Sequence, residues 1–384
     1  MKNQLPPLKS FTDFTNYLTK QLSSCTKATQ EIANSALIAI KAKNKDKLYE
    51  ICESGLPDDL PILRAYIWKI NLGYLPLDIK EWDSTLTKKR EEYKVYKKFI
   101  KEKLTKELEK KEYTSKEILE QIIKDVYRTN TQFSFFFQPT DKNKTLNNEE
   151  ILNIYNKRKN WDFSNIEEVY KYDNFENETH SDVLTRILFT YSSIIQDVSY
   201  HQGMNEILAP IYYSFSYDKL YLEEKEEDIE ADSFWSFYFL LHGIKNNFEE
   251  DQEGLFYKSE ILNECLKIVD ENIYNKLMEK NVKCEFFCLR WFIVLFGQDF
   301  DMGDVLRIWD FVFSCENKNE LLFYVCLSVI KLREDTIING EMNDILQGFQ
   351  NLRDLMCDDV VFLAADIRNK WKNKLDNIIR KALN

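Results

Sequence analysis

Two short stretches hold the side chains best suited to chemistry. Ile122-Ile-Lys-Asp-Val-Tyr-Arg-Thr129 sets Asp125, Arg128 and Thr129 among apolar neighbours, and Tyr200-His-Gln-Gly-Met204 places Gln202 directly before Gly203. On a helix, Asp125 and Arg128 lie three residues apart and share a face, so the carboxylate can orient the guanidinium. Taken alone, the same spacing also fits a surface ion pair at a helix end. Gly203 admits a left-handed turn or a tight backbone approach, which would set Gln202 on a protruding corner. A guanidinium fixed on a scaffold neutralises charge on a phosphoryl transition state, and a fixed amide orients the attacking water. Together those are the two tasks that complete GTP hydrolysis.

Such side chains need rigid supports, and the flanking patterns supply them. Val183, Leu184, Ile187, Leu188, Tyr191, Ile194 and Ile195 recur at helical spacing, and Ser199 to Gly203 then turn the chain. Ile207, Leu208, Ile211, Tyr212 and Phe215 open a second buried helix, so Gln202 sits between two firm elements. Glu206, one turn on from Gln202, reads either as an orienting group behind it or as a surface charge. Upstream, Ile62, Leu63, Tyr66, Ile67 and Ile70 form an amphipathic helix with Arg64 and Trp68 near its rim. A lysine-rich helix over 88–111 carries Tyr93, Tyr96, Ile100, Leu104 and Leu108 at helical spacing. Its interspersed glutamates favour a solvated helix packed on its neighbours over a membrane-surface helix. The acidic run 222–232 reads as an exposed connector, and 234–241 and 286–296 read as buried. Arg290 inside the latter requires a partner, for which Asp310 is the candidate.

The 384 residues include only nine glycines and seven prolines, with no proline after Pro210, which points to helices. No alternation long enough to build a sheet is present, so the fold class is all-α. The net charge of −12 disfavours a general nucleic-acid binder. Eight cysteines occur without a C-x-x-C pair, and three histidines are widely separated, so no metal site is expected and the thiols read as buried and reduced. The opening Met-Lys-Asn-Gln-Leu-Pro-Pro lacks a secretory apolar core, and no apolar run reaches spanning length. A cytoplasmic chain with at most peripheral association with endomembranes is expected. Residues 1–54 read as an appended helical segment and 55–384 as the main domain. Within it, 139–178 lacks periodicity and reads as an insertion or long loop, and 318–384 as helices that complete the second lobe.

Three blocks stand in order along this chain. They are Ile122-x-x-Asp125-x-x-Arg128-Thr129, then Tyr200-x-Gln202-Gly203-Met204, then Arg290-Trp291 with Leu306-Arg307-Ile308-Trp309-Asp310. They resemble the signature blocks of the TBC domain, the Rab GTPase-activating domain, over about Gly55 to at least Phe313. The resemblance implies a two-lobed all-α domain that acts in trans on a GTP-bound Rab-family GTPase in vesicle trafficking. Arg128 and Gln202 would be the paired catalytic fingers, with Asp125, Thr129, Tyr200, Gly203 and Glu206 supporting or orienting them. Arg290, Trp291, Trp309 and Asp310 would be structural. The chain would bind no cofactor, because GTP and Mg²⁺ belong to the partner; it also lacks a G-x-x-x-x-G-K-[ST] phosphate loop of its own. A Rab-binding scaffold or effector without catalysis is the alternative, and the presence of both fingers argues against it.

Overall fold

Helix-period apolar stripes with few breakers fold here into helices throughout. The computed structural model describes residues 10–128, 134–140, 146–159, 170, 178–195, 199–216, 226–248 and 253–382, and shows no β-strand among them. The helices used below are α1 (Pro61–Asn71), α2 (Trp82–Lys110), α3 (Lys116–Val126), α4 (His180–Ile194), α5 (Met204–Ser216), α6 (Glu226–Gly243), α7 (Glu285–Val294), α8 (Met302–Val312), α9 (Lys318–Leu332) and α10 (Cys357–Ile379). The chain divides into two compact units. One takes the described residues of 1–24 and 74–239, and the other those of 25–73 and 240–384.

The first unit is held by buried charges. The sequence reading expects 222–232 to be a solvated connector, yet residues 226–232 form the start of α6, and Asp228, Glu230 and Asp232 are buried. Arg90 of α2 donates from Nε and Nη2 to the two Asp232 carboxylate oxygens at 2.9 and 2.8 Å and lies 3.3 Å from Asp228. Arg186 of α4 forks onto Glu230 at 2.8 Å through both Nε and Nη2, and the Tyr93 hydroxyl donates to the same carboxylate at 2.7 Å. The partners stand far away in the chain, so a one-dimensional reading sees only a charge run.

The expected insertion is pinned at its ends. Thr140 N–H donates to the Glu178 carbonyl at 2.8 Å, and His180 N–H to that of Gln138 at 3.2 Å. Within it the chain forms a helix, Asn148–Lys159, where a loop is expected. Apolar periodicity does not mark this helix. Its ends do: Asn147 and Glu150 cap each other's backbone N–H groups, and acids open the helix while Lys157, Arg158 and Lys159 close it along the dipole. Residues 141–145, 160–169 and 171–177 lie outside the described residues.

The second unit is organised on one carboxylate. Asp310 of α8 is wholly buried and accepts from Arg64 Nη2 at 3.1 Å, Trp68 Nε1 at 2.8 Å and the Leu56 amide at 3.0 Å. Burial pushes the Asp310 carboxyl upward, and Arg64 opposes it. Arg64 is therefore a core residue and not a rim residue, and Trp68 is buried in the core beside it. Trp68 packs edge-on against Phe313, and Trp309 donates its indole N–H to the Leu295 carbonyl at 2.7 Å. Asp310 being taken, Arg290 of α7 pairs instead with buried Asp299, and its own side chain stays half exposed. Trp291 is buried against Phe287 and Phe296, whereas Phe286, expected inside, is exposed.

Two outcomes follow. Asp310→Ala removes the buried carboxylate that pairs with Arg64 and should lower unfolding free energy by about 3–5 kcal/mol. Asp58→Ala removes a second carboxylate partner of Arg64, whose side chain is 86% exposed, and should cost under ~1 kcal/mol by denaturant titration. For Glu230, burial acts upward, but Arg186, Lys97 and the Tyr93 hydroxyl outweigh it and hold the carboxyl at about 2. A depressed acid contributes stability above its unfolded value of about 4.3, and that contribution is lost as pH falls toward the folded value. Glu230→Gln should therefore be less stable at neutral pH and lose less further stability than the parent between those two pH values, as read by thermal melts across acid pH.

Candidate functional site

All the described residues of the two chemical stretches lie in the first unit. α3 packs on α4 and α5, so its C-terminal end is brought to the turn that precedes α5. Asp125 stands in the last turn of α3, buried, and Arg128 follows the helix end with an exposed side chain. The Arg128 amide donates to the Asp125 carbonyl at 3.0 Å, which closes the helix. The Asp125 carboxylate accepts from the Tyr200 hydroxyl at 3.0 Å, and Arg128 acts on it through its field. Burial raises the Asp125 carboxyl above its ordinary value, with the Tyr200 hydrogen bond and the Arg128 charge pulling it back. Burial likewise pushes the Tyr200 phenol upward, and the Asp125 charge adds to that, so Tyr200 stays a neutral donor. Thr129 lies outside the described residues.

Gly203 adopts φ +107°, a left-handed backbone that a side chain would strain. That turn leaves Gln202 exposed, with no hydrogen bond to its side chain among the described residues. What fixes the turn is Asn205, a residue that the sequence reading does not single out. Its Oδ1 accepts from the Gly203 amide at 3.1 Å and lies 3.3 Å from the Tyr200 hydroxyl. Its Nδ2 donates to Glu206 Oε1 at 3.2 Å and reaches the Asp125 carbonyl at 3.5 Å. Glu206 is buried behind the turn and so is not a surface charge.

A second anchor comes from Asp182 in the first turn of α4. It accepts from the Tyr127 hydroxyl at 2.9 Å, pairs with Arg158 at 3.0 Å and takes the Thr179 amide at 2.9 Å. Tyr127 immediately precedes Arg128, so the backbone that leads into the arginine is anchored to α4 as well. Thr179-x-x-Asp182 is a capping-box pattern legible from sequence. By contrast Arg290, Trp291, Trp309 and Asp310 all lie in the second unit, within its own packing.

Among the described residues no cluster of three or more His, Cys, Asp or Glu side chains is placed to hold a metal ion. Cys284 and Cys288 are buried thiols, and burial pushes both upward, away from thiolate chemistry. No helix among the described residues is long and apolar enough to cross a membrane.

Tyr200→Phe should leave the Asp125 carboxylate short of its donor. The expected loss is about 1–3 kcal/mol of stability, together with a further upward shift of the Asp125 carboxyl, read by carboxyl-selective NMR titration. An unchanged Asp125 titration would mean that the hydroxyl does not hold it.

The Rab-GTPase-TBC domain family matches residues 162–338, a span that includes Gln202 and Asp310 but not Asp125 or Arg128. TBC1 domain family member 13 of Homo sapiens is 32% identical over 375 residues, covering 82% of this chain and 91% of the relative. The GTPase-activating protein GYP1 of Saccharomyces cerevisiae is 24% identical over 70% of this chain and 37% of that one. The crystal structure of the Ypt/Rab-GAP domain of Gyp1p superposes with a TM-score of 0.65 at 22% identity, covering 86% of this chain and 93% of that one, a likeness of fold. An all-α fold, three ordered sequence blocks and near full-length similarity to a TBC1 family member agree: this chain belongs to the Rab-GTPase-TBC domain family.

Proposed function

We propose that the chain is a GTPase-activating protein that completes the active site of a GTP-bound Rab-family GTPase in trans. Arg128 is the arginine finger that neutralises charge on the transferring phosphoryl group, and Gln202 is the amide that orients the attacking water. The observation that carries this reading is the network of Asp125, Tyr200 and Asn205. It ties together the backbone roots of two exposed side chains, neither of which makes a side-chain hydrogen bond among the described residues. A preorganised root with a free tip is what transition-state stabilisation requires, since the group need not reorganise when the charge develops. Asp125, Tyr200, Gly203 and Glu206 act as supports, and Thr129 is assigned with them by its place in the sequence block.

GTP and Mg²⁺ are held by the partner, and the chain itself hydrolyses nothing. Arg290, Trp291, Trp309 and Asp310 serve architecture. The functional domain is taken as 55–384, with 1–54 as an added helical segment, in a cytoplasmic protein that regulates vesicle trafficking.

Single-turnover hydrolysis by a panel of GTP-loaded Rab GTPases tests the assignment. Arg128→Ala should lower stimulation by about 10³–10⁵-fold with an unchanged melt, and Arg128→Lys should not rescue it, because lysine lacks the planar fork. Gln202→Ala should reduce the rate far more than it reduces binding of the GTP-state partner. A partner whose own switch glutamine is replaced by alanine should still be activated, because Gln202 supplies the water-orienting amide. Stimulation that survives Arg128→Ala would overturn the arginine assignment. Binding without stimulation by the parent chain would establish the non-catalytic scaffold instead.

A further inference from the structure

Helix α2 presents a face that the proposed activity does not use. Leu86, Tyr93, Ile100 and Leu104 point inward, and Val95, Phe99, Lys106 and Lys110, spaced four, seven and four apart, form a stripe on the opposite side. Val95 is 56% exposed and Phe99 is 53% exposed, two apolar side chains one turn apart on a solvent face. Around them the charge reverses relative to the whole protein. Residues 94–111 hold eight lysines and three glutamates in a chain of net charge −12. One of those glutamates, Glu107, is taken up internally, accepting from Thr114, Ser115 and Tyr170 at 2.7 to 3.1 Å. Beside the stripe opens a recess of about 270 Å³ lined by Phe99, Lys103, Lys106, Lys110 and Thr114 along with acidic side chains.

We propose that the outward face of α2 from Val95 to Lys111 docks on an anionic membrane surface. Val95 and Phe99 enter the interfacial layer. Lys98, Lys106 and Lys110 meet lipid headgroups. Shape favours a lipid surface over an acidic protein. The stripe runs along one helix with a rise of about 1.5 Å per residue, and its lysines are exposed along it. Basic residues flanking a few apolar ones on such a face give reversible, salt-sensitive interfacial binding. This inference does not rest on the GTPase-activating reading, and its test contains no GTPase.

The full chain is sedimented with vesicles of phosphatidylcholine alone and of phosphatidylcholine mixed with phosphatidylserine. It should pellet with the mixed vesicles only and be released by high salt, which screens exposed charges. The triple variant Lys98→Glu, Lys106→Glu, Lys110→Glu should weaken apparent vesicle affinity at least ~10-fold, each lysine near a charged surface contributing about fivefold. Phe99→Ala alone should weaken it by a smaller factor. Lys372→Glu with Lys374→Glu on α10, exposed and distant in sequence, should leave binding unchanged. Because all these positions are exposed, melts should match the parent; were the triple variant to unfold, Phe99→Ala with Lys106→Ala would carry the same test. Failure of the parent to pellet overturns the proposal. So does equal binding to phosphatidylcholine alone, or an equal loss in the α10 variant.

Discussion

A carboxylate withdrawn from water must be met by donors, and this chain depends on that constraint more than on any single apolar contact. Asp228, Glu230 and Asp232 at the start of α6 are buried, so Arg90 and Arg186 must stand opposite them, and α2 and α4 are thereby clamped to α6. With α4 fixed, Asp182 at its first turn can hold Tyr127, and through it the backbone of Arg128. An apolar interface tolerates a slide of one residue far better than a forked ion pair does, so the clamp sets register as well as adhesion. The position of the exposed arginine is thus inherited from charges several helices away.

The second unit obeys the same rule with a different arrangement. One aspartate, Asp310, gathers an arginine, an indole N–H and a backbone amide, and the aromatic side chains of Trp68, Trp309 and Phe313 enclose the cluster. Nothing in that cluster is exposed for chemistry. Residues that form a recognisable sequence block can therefore be split between two kinds of work, with one block presenting side chains and another filling an interior.

Much of the fold was legible because helix periodicity is local: the stripes of 183–195 and 207–215 describe α4 and α5 closely, and the glycine at 203 marks the turn. The ordered blocks single out Arg128 and Gln202, and both side chains are exposed. Three things were not. The acids at 228–232 look solvated because their partners, Arg90 and Arg186, are remote in the chain. Arg290 was matched to Asp310 because both sit in one block, while the true partner Asp299 is nearer and Asp310 is consumed by Arg64. Asn205 was passed over because a side chain that serves the backbone carries no sign of chemistry in its type.

The exposed tip of Gln202 also bears on how altered forms of this protein would behave in a cell. A side chain that anchors nothing can be lost without lowering the folded fraction, so such an allele escapes the quality control that removes unstable chains. Loss of Asp125 or Asn205 acts on the folded population itself. The first class leaves an abundant folded chain, and the second lowers its dose. Two lesions a few residues apart would thus differ in the amount of folded chain that they leave.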